Sequence, residues 1–309
     1  LSTSLESPAK ALRKLFRATK VSFHWWGQRR QVEKSIRSQM ASAVEADPDS
    51  ISATKRLYNP KIKAIAEINQ LKTAIGEYWE LSTRPWPDPG IRLLLRTDLE
   101  AFEAKMQESA IAIQEAAHGV QEARPEIIAD ARQRLRGAFS EGNYPLDLAS
   151  LFSIEWAYPS IDPPHDLPEQ VYAQQKQAVE AKLQEAVALA EQAFLKELSE
   201  LVQTLHDRLT PGPDGQKKVF RDSAVNNVVG FFDRFKKLHV GGSADLETLV
   251  EEAKQLVVGV LPGDLRRSQV LRQEVQQGLS SLKDKLTPLV IPMPRRRIIA
   301  PKKLHGVPA

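Results

Sequence analysis

The chain of 309 residues contains no cysteine. Disulfides, thiolate zinc sites, iron–sulfur clusters and a cysteine nucleophile are therefore excluded. It also has no apolar run approaching the ~20 residues of a membrane helix. Its early apolar residues are interrupted by Arg and Lys, unlike a secretory signal. A cytoplasmic protein is the expectation. The usual catalytic signatures are missing as well. Gly212-Pro-Asp-Gly215-Gln-Lys217-Lys218 has the wrong spacing for a phosphate loop, and its prolines remove backbone donors. Gly-x-Gly-x-x-Gly, Gly-x-Ser-x-Gly and His-Glu-x-x-His do not occur. The six histidines are scattered, none at metal-ligand spacing from another. The expectation is a protein with no catalytic residues, no cofactor, no metal and no evident small-molecule substrate, and hence no enzyme.

What is present is an uneven charge. The net value is only +4. Residues 1–40 carry nine Lys/Arg against two acids, and residues 291–309 carry five Lys/Arg and no acid. That leaves −8 for the 250 residues between them. An acidic body with two basic ends points to a polyanionic partner.

Glycine is sparse at 15 residues, while Ala, Glu, Gln, Leu and Lys abound. These residues lose little on entering a helix. The spacing predicts a helix over 28–45, then one after Pro60 with a stripe of Ile62, Ile65, Ile68, Leu71, Ile75 and Tyr78. Arg84-Pro-Trp-Pro-Asp-Pro-Gly90 breaks the pattern. Leu99, Phe102, Met106, Ile113, Ala117 and Val120 mark the next helix, and another covers about 124–139. Phe152 to Tyr158 alternates with period two, which argues for a strand. Its partner is expected in residues 91–95 or in another copy of the chain. From Pro168 to Leu209 no Gly or Pro interrupts a long apolar stripe. Three helices follow, about 222–238, 244–258 and 264–286. The fold expected is mainly α, an elongated antiparallel helical bundle of coiled-coil hairpins with at most a small two-stranded β element. Its expected parts are a basic Trp-containing segment (1–45), a helical hairpin (46–143), a Pro-rich segment with a strand (144–167), a long helix plus a three-helix bundle (168–287) and a basic Pro-rich arm (288–309).

The basic ends carry the functional expectation. The first presents Arg13, Lys14, Arg17 and Lys20, then Trp25 and Trp26, then Arg29 and Arg30. Guanidinium groups meet phosphates, and indole faces stack bases, so this pattern suits single-stranded nucleic acid. The alternative is that Phe23, Trp25 and Trp26 are buried while Arg29 and Arg30 pair with acids. The other end presents Arg295, Arg296, Arg297, Lys302 and Lys303 among prolines, an extended basic arm.

Thr83-Arg-Pro-Trp-Pro-Asp-Pro-Gly-Ile-Arg-Leu-Leu94, Asn143-Tyr-Pro145, Phe152-Ser-Ile-Glu-Trp-Ala-Tyr-Pro159 and Val219-Phe-Arg-Asp-Ser223 carry a resemblance. With them the chain resembles an uncharacterised helical family of bacteria, phages and mobile elements. Members of that family are often encoded near MoxR-type AAA ATPases, von Willebrand A proteins or recombination genes. The resemblance implies DNA metabolism or ATPase-linked assembly and transfers no catalytic residue. The leading expectation is a non-enzymatic, oligomeric nucleic-acid-binding protein of recombination, mobile-element or defence processes. The alternatives are an adaptor or scaffold for an AAA ATPase, or a structural subunit of a virion or filament.

Overall fold

The start of the chain, basic and with apolar residues Leu5, Ala9, Leu12 and Phe16 at 3/4 spacing, changes conformation at Phe16. The structure, a computed structural model, describes residues 7–212, 216, 218 and 221–290. It divides into two units, 1–187 and 188–309. In the first, Pro8 opens a short helix, α1 (Pro8–Leu15), which buries Ala9 and Leu12. The 3/4 spacing that continues to Phe16 is misleading, because β1 (Phe16–His24) begins there. β1 is rich in β-branched and aromatic residues, which fit a pleated surface.

A link of four residues, 25–28, follows β1. β2 (Arg29–Gln31) lies where a helix was expected, and α2 (Lys34–Ala43) starts only beyond it. β3 (Thr54–Arg56) returns antiparallel to β2. α3 (Lys63–Ser82) leads into a hairpin of β4 (Thr83–Pro85) and β5 (Arg92–Leu95). The prolines and Gly90 (φ +76°) of the sequence breaker form its turn. Trp86 Nε1 donates to Asp88 at 3.1 Å, and Lys182 donates to the same carboxylate at 2.8 Å. The Arg92 guanidinium donates to Thr83 Oγ1 at 2.7 Å and to the carbonyls of Glu80 and Thr83. Much of the first motif of the resemblance is thus used to hold a turn.

α4 (Leu99–Glu122) and α5 (Arg124–Leu135) come next, then β6 (Ser153–Ala157) and the long α6 (Glu169–Leu209), whose residues divide between the two units. The strands form a four-stranded antiparallel sheet in the order β4-β5-β1-β6. β1 is the shared strand. Its first half pairs with β5 (Phe16 with Leu95), and its second half pairs with β6 (Lys20 with Ala157). This sheet, with the separate β2-β3 ribbon, overturns the expected elongated coiled-coil bundle with at most two strands. The strand at 153–157 was expected, but its neighbour is β1 and not residues 91–95. β1 supplies the ladder partner for the backbone of both short strands, β5 and β6.

The expected stripes of α3 and α4 do form a core. Ile65, Ile68 and Ile75 pack with Phe102, Met106, Ile113, Ala117 and Val120 in a cluster shared with Val21, Leu94 and Ile154. Each fully buried side chain of this kind contributes roughly 1.5–3 kcal/mol. In the second unit α7 (Ser223–Leu238), α8 (Ala244–Val257), α9 (Pro262–Arg267) and α10 (Gln269–Leu286) gather around the end of α6. Phe194 meets Phe231 and Phe235 edge-on. Buried Arg272 donates to the carbonyls of Arg208 and Leu209 at 2.8 and 3.0 Å, satisfying the C-terminal end of α6. Among the described residues no helix is long and apolar enough to cross a membrane. Nor do the described residues contain a group of three His, Asp or Glu able to hold a metal.

Candidate nucleic-acid interface

Two basic clusters form on the first unit, and β1 connects them in sequence. At ~3.4 Å per residue its nine residues span about 30 Å.

The first cluster is a cleft of about 160 Å³ at the start of β1, lined by Arg13, Phe16, Arg17, Ala18, Arg96 and the Pro159–Asp162 segment. Strand register builds it. The pairing of Phe16 with Leu95 sets Arg96 beside the α1–β1 junction. The pairing of Lys20 with Ala157 runs residues 159–162 back along the first half of β1. Arg13 is ion-paired with Asp162. Arg17 stands 6.0 Å from the Tyr158 ring centroid, and neither it nor Arg96 has a carboxylate partner among the described residues. Tyr158 is fixed in turn by Glu103, whose carboxylate accepts from Tyr158 Oη at 2.6 Å and from Trp156 Nε1 at 2.8 Å. These donors hold the Glu103 carboxyl below its ordinary range. Burial, together with that hydrogen bond to Glu103, pushes the Tyr158 hydroxyl up. Lys14 and Lys20 are exposed, on α1 and β1.

The second cluster is the β2-β3 ribbon. Arg29 lies opposite Arg56, and Arg30 lies opposite Lys55. Directly opposed residues of an antiparallel pair point to the same side. Lys55 is buried on one side, where it pairs with Glu33 and donates to the Ala138 carbonyl at 2.7 Å. The hydrogen bond from Lys55 holds the Glu33 carboxyl low. Arg30 donates to Asn143 Oδ1 at 3.4 Å. Arg29, Gln31, Thr54 and Arg56 make the exposed side. The end of α5 packs against this ribbon. Arg134 donates to the carbonyls of Arg56 and Leu57, both at 3.2 Å, and pairs with Asp130 at 2.7 Å. Arg132 pairs with Glu141 at 3.2 Å. Arg29, Arg56 and Arg136 have no carboxylate partner among the described residues.

The tryptophans have a different use. Trp26 is only 6% exposed, with its ring 4.7 Å from that of Tyr58 and edge-on to Tyr144. Tyr58 Oη donates to the Trp26 carbonyl at 3.0 Å. Trp25 is half-buried. Its Nε1 donates to Asn69 at 3.0 Å, Phe23 and Phe152 meet it edge-on, and Lys72 Nζ sits 4.8 Å from its ring. Both indoles are thus engaged by the protein itself, which removes the base-stacking argument for a single strand. Among the described residues Arg29 and Arg30, by contrast, form no ion pair with an acid.

Arg295, Arg296, Arg297, Lys302 and Lys303 lie outside the described residues. The sequence reading missed Arg56, Arg96, Arg132, Arg134 and Arg136. The run Arg132-x-Arg134-x-Arg136 was a local signal. Arg56 and Arg96 join their clusters only through strand register. Compared with protein-family models, curated proteins and solved structures, the chain matches none of them.

Proposed function

We propose that this is a nucleic-acid-binding protein that grips the phosphate backbone through the arginines of its first unit. One observation carries the reading, namely that two successive cross-strand pairs of the ribbon are all cationic. Like charges directly opposite each other destabilise a strand pair, by an amount on the order of 0.2–1 kcal/mol. Lys55 is compensated by Glu33, but among the described residues no acid forms an ion pair with the exposed Arg29–Arg56 pair. A phosphate lying over that pair would supply the missing counter-charge. Guanidinium suits this role, since it offers paired donors to phosphate oxygens.

With the indoles engaged elsewhere, backbone contacts replace base stacking as the source of affinity. A two-stranded ribbon also fits a duplex groove. Engagement of roughly five phosphates predicts log K falling with log salt at a slope of about −3.5 to −4.5. An anisotropy titration of single- and double-stranded oligonucleotides across salt tests this. Absence of salt-dependent binding to either form at ~50 mM salt would remove the reading.

A further inference from the structure

The cleft at the start of β1 differs from the ribbon in being walled. We propose that it seats one phosphoryl group, the terminal phosphate monoester of a nucleic-acid strand. The identity of the strand as carrier rests on the nucleic-acid reading above. The cleft itself rests on its own geometry.

Three guanidinium groups reach it from three elements, Arg13 from α1, Arg17 from β1 and Arg96 from the turn after β5. Among the described residues Asp162 is the single carboxylate in its lining, and it is held by Arg13. The net charge of the lining is therefore +2. A phosphate monoester carries about −1.5 to −2 at neutral pH, whereas an internal diester carries only −1. Volume points the same way. About 160 Å³ is the share of roughly five waters at ~30 Å³ each. That admits a phosphoryl group with part of its hydration, and it is well below the ~300–1,000 Å³ of pockets that hold a whole ligand. A chain end can place its phosphate in such a cleft without threading the backbone through it. The Ser160 hydroxyl is already occupied, accepting from the Asp162 amide and donating to the Asp162 carbonyl, both at 3.1 Å. The apolar side chains of Phe16 and Ile161 complete the wall.

The test is a competition among one oligonucleotide with a 5′-phosphate, the same with a 3′-phosphate, and the same with hydroxyl groups at both ends. At least one phosphorylated form should bind about tenfold tighter than the hydroxyl form, the scale of charge-assisted hydrogen bonds. Arg96→Ala should abolish that preference, so that phosphorylated and hydroxyl forms bind that variant alike. Asp162→Asn removes the competing carboxylate and should enlarge the preference. Arg29→Ala should weaken all three forms alike. The preference should also fade as pH falls through the second phosphate pKa near 6. Equal affinities for phosphate and hydroxyl ends would overturn the proposal and leave the nucleic-acid reading standing. Inorganic phosphate is the second arm. If it raises Tm through Arg96 while strand ends show no preference, a small free phosphate is the ligand and the strand-end assignment fails. If no oligonucleotide binds, the nucleic-acid reading falls and takes the strand-end assignment with it.

Discussion

Arg56 separates stability from binding more sharply than any other residue here. It faces Arg29 across the ribbon, and among the described residues neither makes an ion pair with an acid. Arg56→Glu turns a like-charge pair into a cross-strand ion pair. The variant should unfold at a higher temperature, with a gain of about 0.2–1 kcal/mol, and should lose nucleic-acid affinity. Thermal denaturation and a binding titration on one sample check both halves. Trp26 supports the opposite pattern. Its burial against Tyr58 and Tyr144 means that Trp26→Ala should cost about 3–5 kcal/mol. The milder Trp26→Phe should keep wild-type affinity, because no base stacks on that ring. Glu103 gives a pH dependence. Its carboxyl is held below the ordinary 4.5 by the Tyr158 and Trp156 donors, so its contribution to stability is present above about pH 4.5 and is lost as pH falls through the folded value. Glu103→Gln should therefore show a shallower loss of stability on acidification than wild type, as read by chemical denaturation at several pH values.

At the scale of elements, what the sequence revealed depended on how local the signal was. The stripes of α3 and α4 repeat every three or four residues, and their expected members line the core. The long α6 was visible as an uninterrupted apolar pattern, and β6 as a clear alternation. β1 was hidden, because Leu5, Ala9, Leu12 and Phe16 continue a helical spacing up to its first residue. What overrides that spacing is the hydrogen bonding offered by β5 and β6, more than 70 residues away in sequence. β2 and β3, at three residues each, are too short for any period to register. The candidate site followed the same division. The basic and aromatic start could be seen, but the separation of its arginines from its tryptophans needed the register. In the second unit, Gly278 on α10 lies against α8. A Cβ there would overlap the Leu256 side chain. Gly278→Ala gains up to ~1 kcal/mol of helix propensity but forces an overpacking cost of about 1–3 kcal/mol, so it should lower Tm. Adding Leu256→Val should recover part of that loss.

For the whole molecule, a net charge of +4 conceals the division that matters. The 250 central residues sum to −8 between basic ends, yet within that acidic stretch Arg56, Arg96 and Arg136 join the N-terminal arginines in space. An otherwise acidic surface would repel nucleic acid from other faces and confine it to these clusters. Deleting residues 291–309 removes five cations and should weaken binding most at low salt. The most direct test is the salt dependence of oligonucleotide affinity for wild type beside Arg56→Glu. The account predicts a wild-type slope of about −3.5 to −4.5 in log K against log salt. For Arg56→Glu it predicts a slope shallower by about one and an affinity at least tenfold weaker at ~50 mM salt. A wild-type protein with no salt-dependent binding, or an Arg56→Glu variant with unchanged affinity and slope, would contradict it.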